Sequence, residues 1–478
     1  MEVPATMRFS GHVVAMPFPG RGLVTPMLRL CKLIAASSTS QGHDGGALLI
    51  TIVVTQEWLG YIGSEPKPEN IRFATIPNFL PHHTQIAADS PAFSQAAMTN
   101  IEAPFDNLLD QLNPPVTAII GDVELQFPVA VARRRNIPVA LLWTMSASFY
   151  YMLHQLESLA RNRDFIVDLL EHMPGISSTQ LADLRNVVHE NDLKFLQLKL
   201  KCISTVPKAD CLILSTIQEL ETEAIDSLKV VFPFPIYPIS FPYFKPETGH
   251  LEVNNDYNID YLNWLDSQPA LSVLYISFGS FLSVSSAQMN EIVSALNTSG
   301  VGYFWVAREE TSWLKEKCGD KGLVVPWCDQ LKVLSHPSVG GFWSHCGWNS
   351  TMESVFAGLF AGVPFLTFPL AMDQPLISKL IVEDWKVGWR VKKEDKLDTL
   401  VGRDEIVVLL RKFMQLDSDV GRDMRKRAKE FQHICQLTIA KDGSSETNIK
   451  AFLKNIIQGA VPQGSNRPQV QVGIENLS

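Results

Sequence analysis

Twice along its length the chain runs through one alternation, a short apolar, β-branched segment followed by a stretch of helical period. In the first half the strand candidates are His12–Met16, Ala47–Val54, Val116–Gly121, Val139–Trp143 and Cys211–Ser215, with helix candidates such as Leu23–Ala36 and Phe93–Leu112 between them. The alternation restarts with Val273–Ser277, helix Ala287–Leu296, Tyr303–Val306, Gly340–Trp343, a helix from Asn349, and Val363–Phe368. Apolar strands separated by helices require a parallel sheet covered on both faces. The expected fold class is α/β, two doubly wound domains facing each other across a cleft, with ligands outside the C-terminal ends of the strands.

The boundaries that follow are an N-terminal domain over 1–240, a linker over 241–257, a C-terminal domain over 258–458 and a tail over 459–478 whose composition predicts disorder. Leu156 to about Leu200 has helical spacing and reads as an insertion into the first domain. A length of 478 residues exceeds one ordinary domain, and a hydrophobic fraction of 46% supplies core for two.

Charge excludes one class of partner. The balance of 50 acidic and 41 basic residues gives −9, with no Lys/Arg run to neutralise phosphates, so no nucleic-acid partner is expected. No apolar run is long enough for a transmembrane helix, and the N-terminal His12–Pro17 run lacks the features of a signal peptide. Seven cysteines without a CxxC pair point to reduced thiols and a cytoplasmic protein.

The chemistry concentrates between Trp327 and Gln374. Phe342-Trp343-Ser344 ends an apolar strand, His345-Cys346-Gly347 makes a small-residue turn, and Trp348-Asn349-Ser350 opens a helix. At such a helix start, free backbone N–H groups and the positive dipole end receive phosphate. His345 and Ser350 can add donors, Glu353 one turn later can accept from a ribose diol, and Trp327 offers a flat face to a nucleobase. A strand–turn–helix with Asn or Ser at its start is also what a plain N-cap looks like, and a lone Trp or His is usually structural.

Together these residues resemble the C-terminal signature of plant family 1 UDP-glycosyltransferases: a Trp, then HCGWNS with a following Glu, then a terminal Gln. Gly20-Arg21-Gly22, Tyr275-Ile276-Ser277-Phe278-Gly279-Ser280 and Gly443-Ser444-Ser445 extend the resemblance over nearly the whole chain. The resemblance implies the GT-B fold, with Rossmann-like domains, the first for the acceptor and the second for the UDP-sugar. It also implies that the last helix crosses back to the first domain. The implied donor site has Trp327 on uracil with Cys328 beside it, Gln330 and Glu353 on the ribose, and Ser280, His345, Asn349 and Ser350 on the diphosphate. Asp373 and Gln374 would hold the sugar hydroxyls with Trp348 beside them, and Thr144 would reach the sugar from the first domain. The terminal Gln implies glucose.

The resembled family inverts the anomeric carbon, needs no metal or cofactor, and takes small lipophilic acceptors. A monomer is expected. Asp417-Ser418-Asp419 has the form of a metal-binding DxD but reads as a solvated turn, and no nucleotide-binding GxxxxGK[ST] or GxGxxG motif follows the first strand. Two departures stand out. The family's catalytic His belongs directly after Gly20-Arg21-Gly22, where this chain has Leu23, although its Asp partner is present as Asp122. The signature is also lengthened by what looks like a tandem duplication, Phe356-Ala357-Gly358-Leu359 followed by Phe360-Ala361-Gly362-Val363. An active hexosyltransferase and a UDP-sugar-binding pseudo-enzyme both remain open. In the active form, activity should favour acceptors that ionise easily, such as acidic phenols, carboxylates or thiols; otherwise a substitute base must act, with Asp122 itself, Glu124 or His83 the candidates and Asp122 the best placed by motif. The acceptor pocket is expected from Pro81-His82-His83-Thr84 and the region Phe149–His154.

Overall fold

The computed structural model describes residues 9–40, 47–63, 67–78, 90–160, 193–241, 261–279, 284–307, 311–357, 362–392, 399–415 and 417–457. His83, Ser280, most of the expected linker, the middle of the insertion, residues 358–361 and the tail lie outside them.

The first sheet holds β1 (Phe9–Met16), β2 (Ala47–Thr55), β3 (Ile71–Ile76), β4 (Ala118–Asp122), β5 (Val139–Trp143), β6 (Cys211–Ser215) and β7 (Ile236–Ile239), in the order 3-2-1-4-5-6-7. The second holds β8 (Val273–Ser277), β9 (Gly302–Val306), β10 (Gly322–Val325), β11 (Val339–Ser344), β12 (Phe365–Thr367) and β13 (Gly388–Arg390), in the order 10-9-8-11-12-13. Every pairing is parallel.

Alternation along the strands shows why both faces must be covered. Val14 and Met16 of β1 enter one core and Val13 and Ala15 the other, all buried. In β8, Val273 and Tyr275 face one core and Leu274 and Ile276 the opposite one. A run with no polar face has no side to give to water, so helices close over both. All seven cysteines are unpaired and six are buried. No helix among the described residues is long and apolar enough to cross a membrane.

Four strands escape the hydrophobic pattern: β3, β7, β10 and β13, the two edges of each sheet. β3 and β10 are partly exposed, and Arg72, Pro238 and Gly322 dilute the apolar run in β3, β7 and β10. The expected single helix Phe93–Leu112 is two, Ser90–Asn100 and Glu102–Leu109. Pro104 has no N–H to return to the Asn100 carbonyl, so the helix restarts with the proline in its first turn. The duplicated segment begins in helix Trp348–Ala357 and ends at Val363, one residue past Gly362, whose φ is +58, ahead of β12. Helix Ser444–Ile457 packs on the first domain: Ser445 Oγ donates to the Ser240 carbonyl at 2.9 Å, and Asn448 donates to that of Pro238 at 2.8 Å.

Candidate active site

In each sheet the strand order reverses at its centre, between β1 and β4 and between β8 and β11. Connections leaving such neighbours part to opposite faces and open a crevice at their C-terminal ends. The turns after these strands carry Gly20 to Leu23, Asp122 to Glu124, Phe278-Gly279 and His345 to Gly347.

After β11 the chain turns through Cys346, a non-glycine residue at φ +66, braced by Ser344 Oγ, which accepts from the Cys346 N–H at 3.0 Å. The helix starting at Trp348 takes its first bond from Thr351 N–H to the Gly347 carbonyl at 2.9 Å. Gly347 has no side chain to cap the turn, so the helix start is open to an anion. The His345 imidazole is wedged between two glycine backbones. A Cβ on Gly279, which sits at φ +80, would meet its Nε2 at 2.6 Å, and one on Gly347 would meet it at 2.5 Å. Burial lowers its pKa to about 4 against the opposing Ser277 carbonyl, so the ring is neutral at pH 7. Its Nδ1 has no well-formed hydrogen bond among the described residues.

One turn into the same helix, Glu353 stands in a polar chain. Tyr275 O–H donates to Gln330 Oε1 at 2.9 Å, and Gln330 Nε2 donates to Glu353 Oε2 at 2.7 Å. Arg29 Nη2 of the first domain donates to Glu353 Oε1 at 2.8 Å. Trp327 is half-exposed, whereas the neighbouring Cys328 is buried, its Sγ 3.7 Å from the Tyr275 hydroxyl.

Three of the expected features also make contacts within the protein. The Trp348 indole is buried, and its Nε1 donates to the Ser215 carbonyl of the first domain at 2.8 Å, which ties the two domains together. Asn349 Nδ2 donates to the Gly22 carbonyl at 2.7 Å, which turns its amide across the cleft. Phe149, Tyr150 and Leu153, in the segment expected to line the acceptor pocket, belong to the first domain's core; Pro81 to Thr84 lie outside the described residues.

Asp373 and Gln374 follow Met372, a left-handed residue at φ +62. Gln374 Oε1 accepts from the Leu370 and Ala371 N–H groups at 2.8 and 3.2 Å, which pins the turn. Asp373 is buried, and burial raises its carboxyl to about 7; Lys199 and Glu124 of the first domain are its charged neighbours. Those two form a buried ion pair, so the cleft has a charged floor between Asp373 and β4.

Asp122, the last residue of β4, is 1% exposed. Its Oδ1 accepts from Glu124 N–H at 2.9 Å and its Oδ2 from Phe18 N–H at 3.4 Å, so the carboxyl braces the turn after β1. Burial and the nearby Glu124 charge raise it to about 7. Leu23 is half-buried and packs on the first domain's core. Thr144 is buried just past β5, the strand paired with β4. Farther along, Glu221 accepts from Ala147 N–H, Ser148 N–H, Ser148 Oγ and Thr216 Oγ1 at 2.6 to 2.9 Å and caps helix Ala147–Ala160. Arg29, Lys199 and Glu221 carry no motif, and a lone charge on a helix reads as surface. Asp417-Ser418-Asp419 is a helix cap, Ser418 Oγ accepting from Gly421 N–H at 3.1 Å.

The family model for UDP-glucoronosyl and UDP-glucosyl transferases matches residues 130–393, more than half of the chain. UDP-glycosyltransferase 87A1 of Arabidopsis thaliana is 44% identical over 92% of this chain and 99% of its own length. The 7-deoxyloganetin glucosyltransferase of Catharanthus roseus is 30% identical over 93% and 96% of the two chains. The structure of Phytolacca americana UGT2, complexed with UDP-2fluoro-glucose and pterostilbene, superimposes with a TM-score of 0.74 at 26% identity, covering 93% of this chain and 99% of that one. With two parallel α/β domains meeting at their switch points, the chain belongs to the UDP-glucoronosyl and UDP-glucosyl transferase family, as a plant family 1 UDP-glycosyltransferase of GT-B fold.

Proposed function

We propose that this enzyme transfers a hexose, glucose first among the candidates, from its UDP-sugar to a small lipophilic acceptor with inversion and without a metal. The observation that carries this reading is the Tyr275–Gln330–Glu353 chain one turn past an uncapped helix start. A carboxylate takes a ribose diol and the helix end takes the diphosphate, with the spacing set by one helical turn. Trp327 supplies the face for uracil, and Ser350 and neutral His345 donate to the diphosphate. Asp373 and Gln374 receive the sugar hydroxyls, with Thr144 facing them from the first domain. As UDP departs, fixed donors at the helix start stabilise its charge without reorganising.

Leu23 favours a second reading, a UDP-sugar binder with weak or no transfer, because an alkyl group accepts no proton. Within the first reading Asp122 takes the base role. Raised to about 7, its carboxyl is near the pH where proton transfer is most efficient, whereas Glu124 is tied to Lys199. Incubation with UDP-glucose and a panel of phenols, carboxylic acids and terpenoid alcohols separates the two readings. UDP release with a matching mass gain on an acceptor supports the transferase; tight UDP binding with neither supports the binder.

A further inference from the structure

Part of the contact between the two domains is made by one face of each of two helices. Gly22, Pro26 and Arg29 fall at i, i+4 and i+7 of helix Arg21–Ser40 and share a face; Asn349 and Glu353 share one on helix Trp348–Ala357. Pro26 has no N–H to offer the Gly22 carbonyl four residues back, so that carbonyl lacks its helical partner. Asn349 takes its place from the opposite domain, and two turns farther along the first helix Arg29 meets Glu353. The proline thus leaves a docking point that brings Arg29 to the carboxylate.

We propose that Arg29 is a positioning residue for donor recognition: from the acceptor domain it holds Oε1 of Glu353 so that both carboxylate oxygens face the ribose diol. The inference rests on the reading of Glu353 as the ribose acceptor. An ionised carboxylate has about four acceptor positions. Gln330 occupies one on Oε2 and Arg29 one on Oε1, which leaves one on each oxygen. A vicinal diol brings two donors. Tyr275 fixes the amide of Gln330, so among the described residues Oε2 is anchored within the second domain and Oε1 from the first. Donor binding is thereby tied to how the domains sit.

Removing Arg29 has two separable consequences. The uncompensated Glu353 charge repels every uridine nucleotide alike. The lost orientation weakens only a ligand that carries both ribose hydroxyls. Calorimetric affinities of UDP and 2′-deoxy-UDP for wild type, Arg29→Met, Arg29→Lys and Glu353→Gln resolve them, and a ratio measured on one sample is insensitive to the folded fraction. Wild type should prefer UDP by about tenfold or more, the usual worth of a hydrogen bond to a charged group. Arg29→Met should shrink the preference below about threefold, and Arg29→Lys, which keeps the charge and a donor, should recover most of it. If Arg29→Met weakens both ligands equally and keeps the wild-type preference, Arg29 acts only by charge and the inference is overturned. If wild type and Glu353→Gln show no preference, the ribose reading fails and the inference with it.

Discussion

At the crevice of the second sheet, β11 runs into neutral His345, left-handed Cys346 and an uncapped helix, with Glu353 held in a polar chain one turn later. At the corresponding crevice of the first sheet, β1 runs into Gly20-Arg21-Gly22, and the next side chain, Leu23, packs on the core. The strand order is the same and the reversal falls at the same place, yet one crevice gathers polar groups at an open helix start while the other has an alkyl side chain, Leu23, near the buried carboxyl of Asp122. Asp122 instead braces the turn through the Phe18 and Glu124 amides. On the proposed reading, most donor contacts come from the second half, with Arg29 reaching across to Glu353, and acceptor activation from the first, so substitutions in each half should separate the two tasks.

That separation can be broken at several points. The largest effect is expected at Glu221, whose buried carboxylate satisfies four donors at the start of helix Ala147–Ala160. Glu221→Ala leaves several of them unpaired and should lower the unfolding free energy by about 3–5 kcal/mol. Denaturant melts should report that loss, while the protein still folded binds UDP as wild type does. A concurrent fall in UDP affinity would mean the halves are not independent.

Next comes Glu353→Ala, which removes a charged acceptor from the donor half. UDP affinity by calorimetry should fall by about 1.5–3 kcal/mol. Unchanged affinity would take the centre out of the donor assignment.

Smaller and more diagnostic is the response to pH. Asp122 is raised to about 7 by burial, and its base form is the deprotonated one, so turnover should climb as pH rises through about 7 and then level. Asp122→Asn should flatten that limb. Asp373 is also raised to about 7, but its limb belongs to the KM for the UDP-sugar. UDP affinity should be level from pH 6 to 9, because His345 protonates only near 4. A limb that survives Asp122→Asn would assign the base elsewhere.

What the sequence discloses follows the same division. Interior strands were legible because burial on both faces leaves only apolar residues, whereas edge strands such as Ile71–Ile76 and Gly388–Arg390 blend into their flanks. The residues proposed for the donor site stand out in the sequence because a helix start and its following turn hold most of them in one stretch. Contacts between domains were not. Trp348 and Asn349 stand in the motif, and nothing in it marks their contacts with Ser215 and Gly22. Arg29, Lys199 and Glu221 meet partners 324, 75 and 74 residues away, and no local spacing marks such pairs. Pro26, a proline inside a helix, leaves the Gly22 carbonyl without its helical donor, and Asn349 supplies one from the other domain.

Restoring the imidazole at position 23 tests the contrast between the halves most directly. Leu23→His should raise turnover on poorly acidic alcohols by at least about tenfold, within the 10²–10⁴-fold that a positioned base contributes, and leave UDP affinity unchanged. Wild type should meanwhile favour acceptors that ionise readily, such as acidic phenols, carboxylates or thiols. The contradicting result is equally plain: wild type glycosylates simple alcohols at rates ordinary for its family, and Leu23→His changes nothing. Position 23 would then not be where this protein activates its acceptor.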